Sequence, residues 1–443
     1  MADIRVDCGS PLGVIRPLHG VNNGPTGERR YERRSNFESF SELRLPFVRN
    51  HDASLSEAYG SQHVVDVHCI FSDFSRDPSD ASAYDFQMTD EYTKTIIDAG
   101  SAVFYRLGAS IENWSAKYGT RMPKDFSKWV DVCEHIMMHY TEGWANGFTY
   151  DITYWEIWNE PDLDPDDAIE KRTWGGTKAE FFDLYALAAK RLKSRFPHLK
   201  IGGPALAYNE SWADEFLSEL RKREVPIDFF SWHIYSTEPK KISAKAKRIE
   251  ALLQKHGYGE LESILNEWNY VDDWDRPLGF LKVVKGLKGA SFDVAVMCEM
   301  QNETRTASMM YYDARVEKIW NGLFDSDTLL PLKGYYAFKA YGKLYHTDHA
   351  LPISKDDDEI YAVAAASEDS VALLLTSYAD RMPTDKDLEI FFDGLDGKWG
   401  SVETYLISET QDLELVSTHE LKNESISLRL SPYQIALIVI RRP

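Results

Sequence analysis

The 443-residue sequence predicts an α/β fold: a (β/α)8 TIM barrel with a second, smaller C-terminal antiparallel β-sandwich. Three observations predict it. Eight short apolar runs alternate with longer segments of helical periodicity. Beyond about residue 350 the helical pattern stops, and strand-like runs follow one another between Asp, Gly and Ser clusters. The chain is also too long for one small core, yet it has no internal repeat, low-complexity tract or flexible linker to suggest an array.

The eight barrel candidates are "PLHGVNN", "LPFVRNHD", "SAVFYRLG", "YWEIWNE", "KIGGPALA", "DFFSWHIY", "ESILNEWNY" and "SMMYYDA". Between them, "DFSKWVDVCEHIMMHYTEG" and "KAEFFDLYALAAKRLKSRF" repeat apolar residues at three and four, the second gathering Lys and Arg at its end, as a helix does. This barrel is expected over residues 14–348. The sandwich, residues 349–443, is expected from "YAVAAA", "VALLLTSY", "LEIFFDG", "SVETYLIS", "ISLRL" and "IALIVIRR". The opening "ADIRVD", within residues 1–13, could add one strand to it and tie the termini together.

Composition narrows the function classes. A net charge of -21, from 71 acidic against 50 basic residues, repels nucleic acid and anionic membranes and suits a neutral ligand. No uncharged apolar run reaches the length of a membrane span. The first twenty residues lack a basic segment followed by an apolar one, so a cytoplasmic location is expected. Cys8, Cys69, Cys133 and Cys298 fall into no CxxC or Cys/His ligand spacing, which fits plain thiols and gives no cofactor or metal.

The motif that carries chemistry is "YWEIWNEPD". Barrel enzymes work at the carboxyl ends of their strands. This strand is expected to run to Asn159 and Glu160, where Pro161, lacking an amide hydrogen, cannot continue the ladder. "ESILNEWNY" repeats the grammar with Asn266, Glu267 and Trp268, three β/α units later. Two carboxylates across one mouth are what glycoside cleavage needs: one gives a proton to the leaving oxygen, the other meets the positive charge developing at the anomeric carbon.

"WEIWNEP" followed by "LNEW", with "HGVNNGP" on the first strand and "RNHD" on the second, resembles glycoside hydrolase family 39, the family of β-xylosidases and α-L-iduronidases. The resemblance implies Glu160 as general acid/base, Glu267 as nucleophile and retention of anomeric configuration, with carboxyl groups roughly 5 to 5.5 Å apart. It also implies Arg49 near the nucleophile, Asn159 on the sugar 2-hydroxyl, and the pair His233 and Tyr235 at the sixth strand end. His51 follows Arg49 by two, on the same strand face. Trp268, Tyr312 and His68 complete the expected sugar contacts, although aromatics in barrel strands often serve packing. Tyr311 and Tyr312 stand where many relatives present a tryptophan platform. The long second-strand loop offers Asp66, His68 and Asp73, and its length suggests a narrowed mouth and exo action. Its residues have no compact metal-ligand spacing.

The expected partner is thus a small oligosaccharide or glycoside, cleaved most readily as a β-xyloside. An α-L-arabinosidase or another pentosidase or hexosidase is the alternative within the family. A non-catalytic carbohydrate-binding barrel is the alternative outside it. An iduronide would need a cation for its carboxylate, for which Arg106, Arg305 and Arg315 are available. Oligomeric state is not legible.

Overall fold

The computed structural model describes residues 2–27, 35–52, 63–111, 120–316, 320–395, 399–421 and 424–442. Strand β1 (Ala2–Asp7) precedes eight parallel strands: β2 (Gly20–Asn22), β3 (Phe47–Asn50), β4 (Ala102–Leu107), β5 (Tyr154–Ile157), β6 (Lys200–Leu206), β7 (Phe229–Ser236), β8 (Glu262–Tyr270) and β9 (Ser308–Tyr311). They form a closed barrel in chain order, sealed where Val21 of β2 pairs with Tyr311 of β9. Seven lie within the eight apolar runs, and β7 extends one residue, Ser236, beyond its own.

The connecting helices carry their own start and stop signals. Helix Lys178–Arg195 opens on a capping box between Thr177 and Glu180 and closes with Lys193 and Arg195 against its negative end. Helix Phe126–Glu142 opens on the Asp125 side chain and stops at Gly143 with φ of 75°. Inside the barrel, Phe104, Phe229, Ile264 and Met310 fill an apolar layer with Phe47 and Tyr154 packed against it. A polar layer holds Asn22, Arg49, Glu156, Ser231 and Asn266, all buried. The polar layer is the floor of the mouth.

The remaining strands are β10 (His349–Leu351), β11 (Ile353–Lys355), β12 (Ile360–Ala366), β13 (Ser370–Ser377), β14 (Lys386–Asp393), β15 (Ser401–Ile407), β16 (Asp412–Glu420), β17 (Ser425–Leu430) and β18 (Ile435–Arg441). They make a six-stranded sheet, β10-β12-β13-β18-β15-β16, and a four-stranded sheet, β11-β1-β14-β17. β1 joins the second sheet, and its pairing with β14 is parallel, so the sandwich is not purely antiparallel. Ile4, Val6, Leu373, Leu375, Ile390, Ile438 and Ile440 form the core between the sheets. Leu374, Leu437 and Val439, pointing the other way, belong to the main core together with residues of helix Leu287–Glu303. The middle of the six-stranded sheet, β12, β13 and β18, is therefore covered on both faces, which is why these strands read as unbroken apolar runs rather than alternating ones.

Candidate active site

The acid-bearing strand ends earlier than expected. β5 stops at Ile157, and Trp158 and Glu160 take φ of 74° and 49°. These left-handed residues, not Pro161, take the chain out of the ladder, and each costs about 1–3 kcal/mol of backbone strain. Three hydrogen bonds hold the turn: Trp158 N donates to the Leu107 carbonyl at 2.7 Å, Glu160 N to the Ala205 carbonyl at 3.0 Å, and Thr173 Oγ1 to the Glu160 carbonyl at 2.6 Å. Glu160 is thereby aimed into the mouth.

Glu267 arrives differently, inside a regular strand with a register shift. Trp232 pairs with Leu265, but the next residue, His233, pairs with Glu267. The extra residue allows Asn266 and Glu267 both to face the interior, which strict alternation forbids. Asn266 Nδ2 donates to Glu156 Oε1 at 2.6 Å, while Glu267 faces Arg49, Tyr235 and His51.

The two carboxylates and His233 each bring an atom within 4.8 Å of the others. His233 Nδ1 lies 2.8 Å from Glu160 Oε1 and 3.6 Å from Glu267 Oε2. Its Nε2 has no partner among the described residues, and Nδ1 shares the hydrogen bond with Glu160. Burial pushes the imidazole down to about 4, leaving it neutral. Tyr235 donates its hydroxyl to Glu267 Oε1 at 2.5 Å, and Arg49 Nη1 approaches Glu267 Oε2 at 3.3 Å. His51 Nε2 stands 3.8 Å from the same oxygen. Arg49 Nη2 also donates to Asn159 Oδ1 at 2.7 Å, so one guanidinium fixes both Asn159 and Glu267.

These donors distinguish the two acids. Burial, then the nearby Asp162 carboxylate, raises Glu160 to about 8. Burial, and then the neighbouring Glu160 carboxyl, also raise Glu267, but the Arg49 cation and the Tyr235 hydroxyl pull against them. The anion is therefore favoured on Glu267, and a proton shared by the pair rests on Glu160.

Other expected contacts fall elsewhere. Trp268 is fully buried behind the barrel wall, its ring packed against Tyr311 and Phe292 at 5.3 and 6.3 Å, because the residue after Glu267 points outward. Its expected sugar contact is corrected to core packing. Trp155 is likewise core, stacked on Tyr105 at 4.6 Å. His68 lines a separate cavity with Trp158 and Trp129. Asp66 accepts from Arg106 Nη2 at 2.5 Å and from Ser110, and Asp73 is engaged with Ser75. Tyr312 does stand at the mouth, with its ring edge toward His51 and its hydroxyl donating to Asp52 Oδ2 at 2.6 Å.

Several residues escaped the sequence analysis. Glu156 accepts from Arg49 Nε at 2.8 Å, Ser231 Oγ at 2.6 Å and Asn266, making it the counter-ion that holds Arg49. It lies in the quoted stretch, four residues before Glu160, and strand alternation alone could have found it. Asp162 accepts from the Ala207, Tyr208 and Asn209 amides at 2.8–2.9 Å, fixing the loop beside Glu160. Lys245 donates to the His233 carbonyl at 2.7 Å from helix Pro239–Lys255. Trp320 packs against Tyr312 and Tyr235 at 6.1 and 5.9 Å and, with the exposed Trp274, forms an indole wall. Its signal, a tryptophan eight residues beyond Tyr312, was hidden by the strandless spacing.

Among the described residues, two groups have the composition and proximity to ligate a cation: Asp66, His68 and Cys69, and the Glu160, His233 and Glu267 set. Arg106 already occupies Asp66 in the first. In the second, Arg49 would repel a metal from Glu267.

The model of the glycosyl hydrolases family 39 matches residues 44–276, which include both carboxylates. The chain belongs to this family. Two relatives are named β-xylosidase: one from Geobacillus stearothermophilus, 29% identical over 169 residues, covering 33% of this chain and 32% of the relative, and one from Caldicellulosiruptor saccharolyticus, 33% identical over 138 residues, covering 29% and 26%. The matched segments thus span a third or less of either relative's length. Among solved structures, a glucosidase from Croceicoccus marinus superposes with a TM-score of 0.78 at 22% identity, covering 100% of this chain and 99% of that one. A monomeric β-xylosidase from Caulobacter crescentus CB15 gives 0.71 at 16%, covering 100% of each. These likenesses establish that the family 39 barrel and its β-sheets share one architecture with those proteins.

Proposed function

We propose that this family 39 protein is a retaining, exo-acting glycoside hydrolase that cleaves a neutral glycoside or short oligosaccharide, with a β-xyloside as its substrate. The observation that carries the reading is the approach of the Glu160, His233 and Glu267 side-chain atoms to within 4.8 Å of one another. Inverting enzymes hold their carboxyls roughly 6.5–9.5 Å apart to admit a water between sugar and base, whereas retaining ones need about 5–5.5 Å.

In the first step a Glu267 oxygen attacks the anomeric carbon as Glu160 passes its proton to the leaving oxygen. In the second, Glu160, now ionised, takes a proton from water as that water displaces Glu267. Tyr235 and Arg49 keep Glu267 ionised and oriented, and Asn159, anchored by Arg49, presents its amide to the 2-hydroxyl. Both acids are almost wholly buried, which suits a chain end and not the middle of a polymer.

A neutral sugar is supported by the charges around the mouth. Arg106 is buried against Asp66, and Arg305 sits on the outer surface near Glu260, so neither supplies a uronate site. Asp52, behind Tyr312, adds negative charge to the wall. The two curated relatives named β-xylosidase favour xylose over arabinose. The test is a panel of aryl β-xyloside, α-L-arabinoside and β-glucoside substrates, with the first-formed anomer followed by proton NMR. Release of β-xylose from the β-xyloside is expected; release of the α-anomer overturns the retaining mechanism, and inertness toward the whole panel overturns the hydrolase reading.

A further inference from the structure

Helix Pro239–Lys255 follows β7 and carries five lysines. Lys240, Lys241, Lys247 and Lys255 are exposed and pair with surface carboxylates. Lys245 differs: it falls three residues after Ile242 and four before Ile249, on the face that the helix buries, and is 5% exposed. A charge set among core positions is costly unless polar groups satisfy it there. Its ammonium donates to two backbone carbonyls at neighbouring strand ends, Ala207 after β6 at 3.0 Å and His233 in β7 at 2.7 Å.

Each carbonyl leads to the acid in one further step. The Ala207 amide donates to Asp162 Oδ1 at 2.8 Å, two residues beyond Glu160, and His233 Nδ1 lies 2.8 Å from Glu160 Oε1. Asp162 is 3% exposed and is satisfied by the Ala207, Tyr208 and Asn209 amides. Neither Asp162 nor Lys245 has an ion-pair partner among the described residues. The other charges around them are committed: Arg49 to Glu156 and Glu267, Arg172 to Asp164 at 2.8 Å, and Glu210 to Arg248 at 2.9 Å. Burial raises Glu160 most; Asp162 raises it further, while Arg49, Arg172 and Lys245 lower it. Burial brings Lys245 itself down to about 8, which leaves it mainly an ammonium at neutral pH.

We propose that Lys245 and Asp162 are a pair of positioning residues for the acid: joined through Ala207, they tie the Glu160 turn to His233 and set, by opposed buried charge, how tightly Glu160 holds its proton. This rests on the glycosidase reading. A plain anchor for the helix needs the hydrogen bonds but not the charge, and that difference has a measurable sign. Removing the cation leaves Glu160 protonated to higher pH, and removing the anion does the reverse.

The test has two arms. In the first, carbon-13 NMR of protein labelled at the glutamate carboxyls follows the Glu160 signal, identified by its loss in Glu160→Gln, as pH is varied. The titration midpoint is expected to rise by roughly half a unit in Lys245→Met, the effect being limited because Lys245 is itself losing its charge near pH 8. It is expected to stay at the wild-type value in Lys245→Arg and to fall by about one unit in Asp162→Asn. The K245M/D162N double variant should lie between the two single ones. In the second arm, the alkaline limb of kcat/KM on an aryl β-xyloside is expected to move with the midpoint in each variant. If Lys245→Met does not fold, the direction of the shift in Asp162→Asn decides. Opposite shifts in the NMR midpoint without turnover of any glycoside support the pair and count against the hydrolase reading. Turnover with midpoints unmoved, or moved in the same direction in Lys245→Met and Asp162→Asn, overturns the pair and reduces both residues to structural anchors.

Discussion

Glu160 and Glu267 are chemically the same side chain, and their surroundings set them apart. Glu267 has a cation and a phenol within reach; Glu160 has burial, a neutral imidazole and the Asp162 carboxylate. Glu267→Ala is expected to lower kcat on an aryl xyloside by at least about 10³-fold. Glu160→Ala should lose much less on substrates with good leaving groups, and added azide should restore turnover, since azide attacks the glycosyl-enzyme without needing a base. Equal, unrescued losses in both variants would contradict the assignment. The pH profile of kcat/KM follows from the same environment. Activity is expected to fall as pH rises through about 8, where Glu160 loses its proton, and the acid limb should lie above the usual glutamate range because burial raises Glu267.

Stability carries the same sign over a lower window. The folded state retains a proton on Glu160 that the unfolded chain gives up from its ordinary value of 4.5, so folding stability declines as pH climbs from there to about 8. Glu160→Gln is therefore expected to stabilise the fold at pH 7.5 by up to about 4 kcal/mol, read as a higher melting temperature, and to do little at pH 4. A variant no more stable at pH 7.5 than the wild type would show that the acid is not held protonated.

At the scale of elements, strand ends decide what reaches the mouth. The two acids occupy their places by different backbone devices, a left-handed turn after β5 and a register shift in β8. Beneath them the polar layer works as a unit, with Glu156 of β5 clamping Arg49 of β3. Glu156→Gln removes that counter-ion and leaves a buried guanidinium leaning on Glu267 alone. Loss of about 3–5 kcal/mol in stability is expected, together with a downward shift of the acid limb of the pH profile as Arg49 favours the Glu267 anion more strongly. Chemical denaturation and pH-rate measurements check the two halves separately. Elements also mark where sequence patterns were silent. β16 is an edge strand, almost wholly exposed, formed because β15 offers it a ladder, so no buried face disciplines its sequence. β10 and β11 are three residues each, too short for a period to register.

The whole molecule joins its two ends. β1 lies between β11 and β14, with Ile4 and Val6 fully buried in the sandwich core. We propose that residues 1–13 and 349–443 make one unit, packed on the barrel 14–348 through helix Leu287–Glu303. Deleting residues 2–7 would expose two strand edges and forfeit about 1.5–3 kcal/mol for each buried aliphatic side chain. The truncated protein is expected to melt earlier and to associate through the opened edges, measured by calorimetry and light scattering. An unchanged melting temperature would show that the strand is dispensable.

Local periodicity and continuity were enough to determine eight barrel strands, the β-rich remainder and the two Asn-Glu pairs, because these depend on residues near one another in the chain. Closure of the barrel decided the rest. Only there does Arg49 meet Glu156, Asn159 and Glu267, does His233 lie between the two acids, and does a register shift turn Trp268 outward into the core while Trp320 comes to the wall of the mouth. Those contacts join strands far apart in sequence, and a single shifted residue reverses which side chains face inward. Alternation read along one strand carries no information about such a shift.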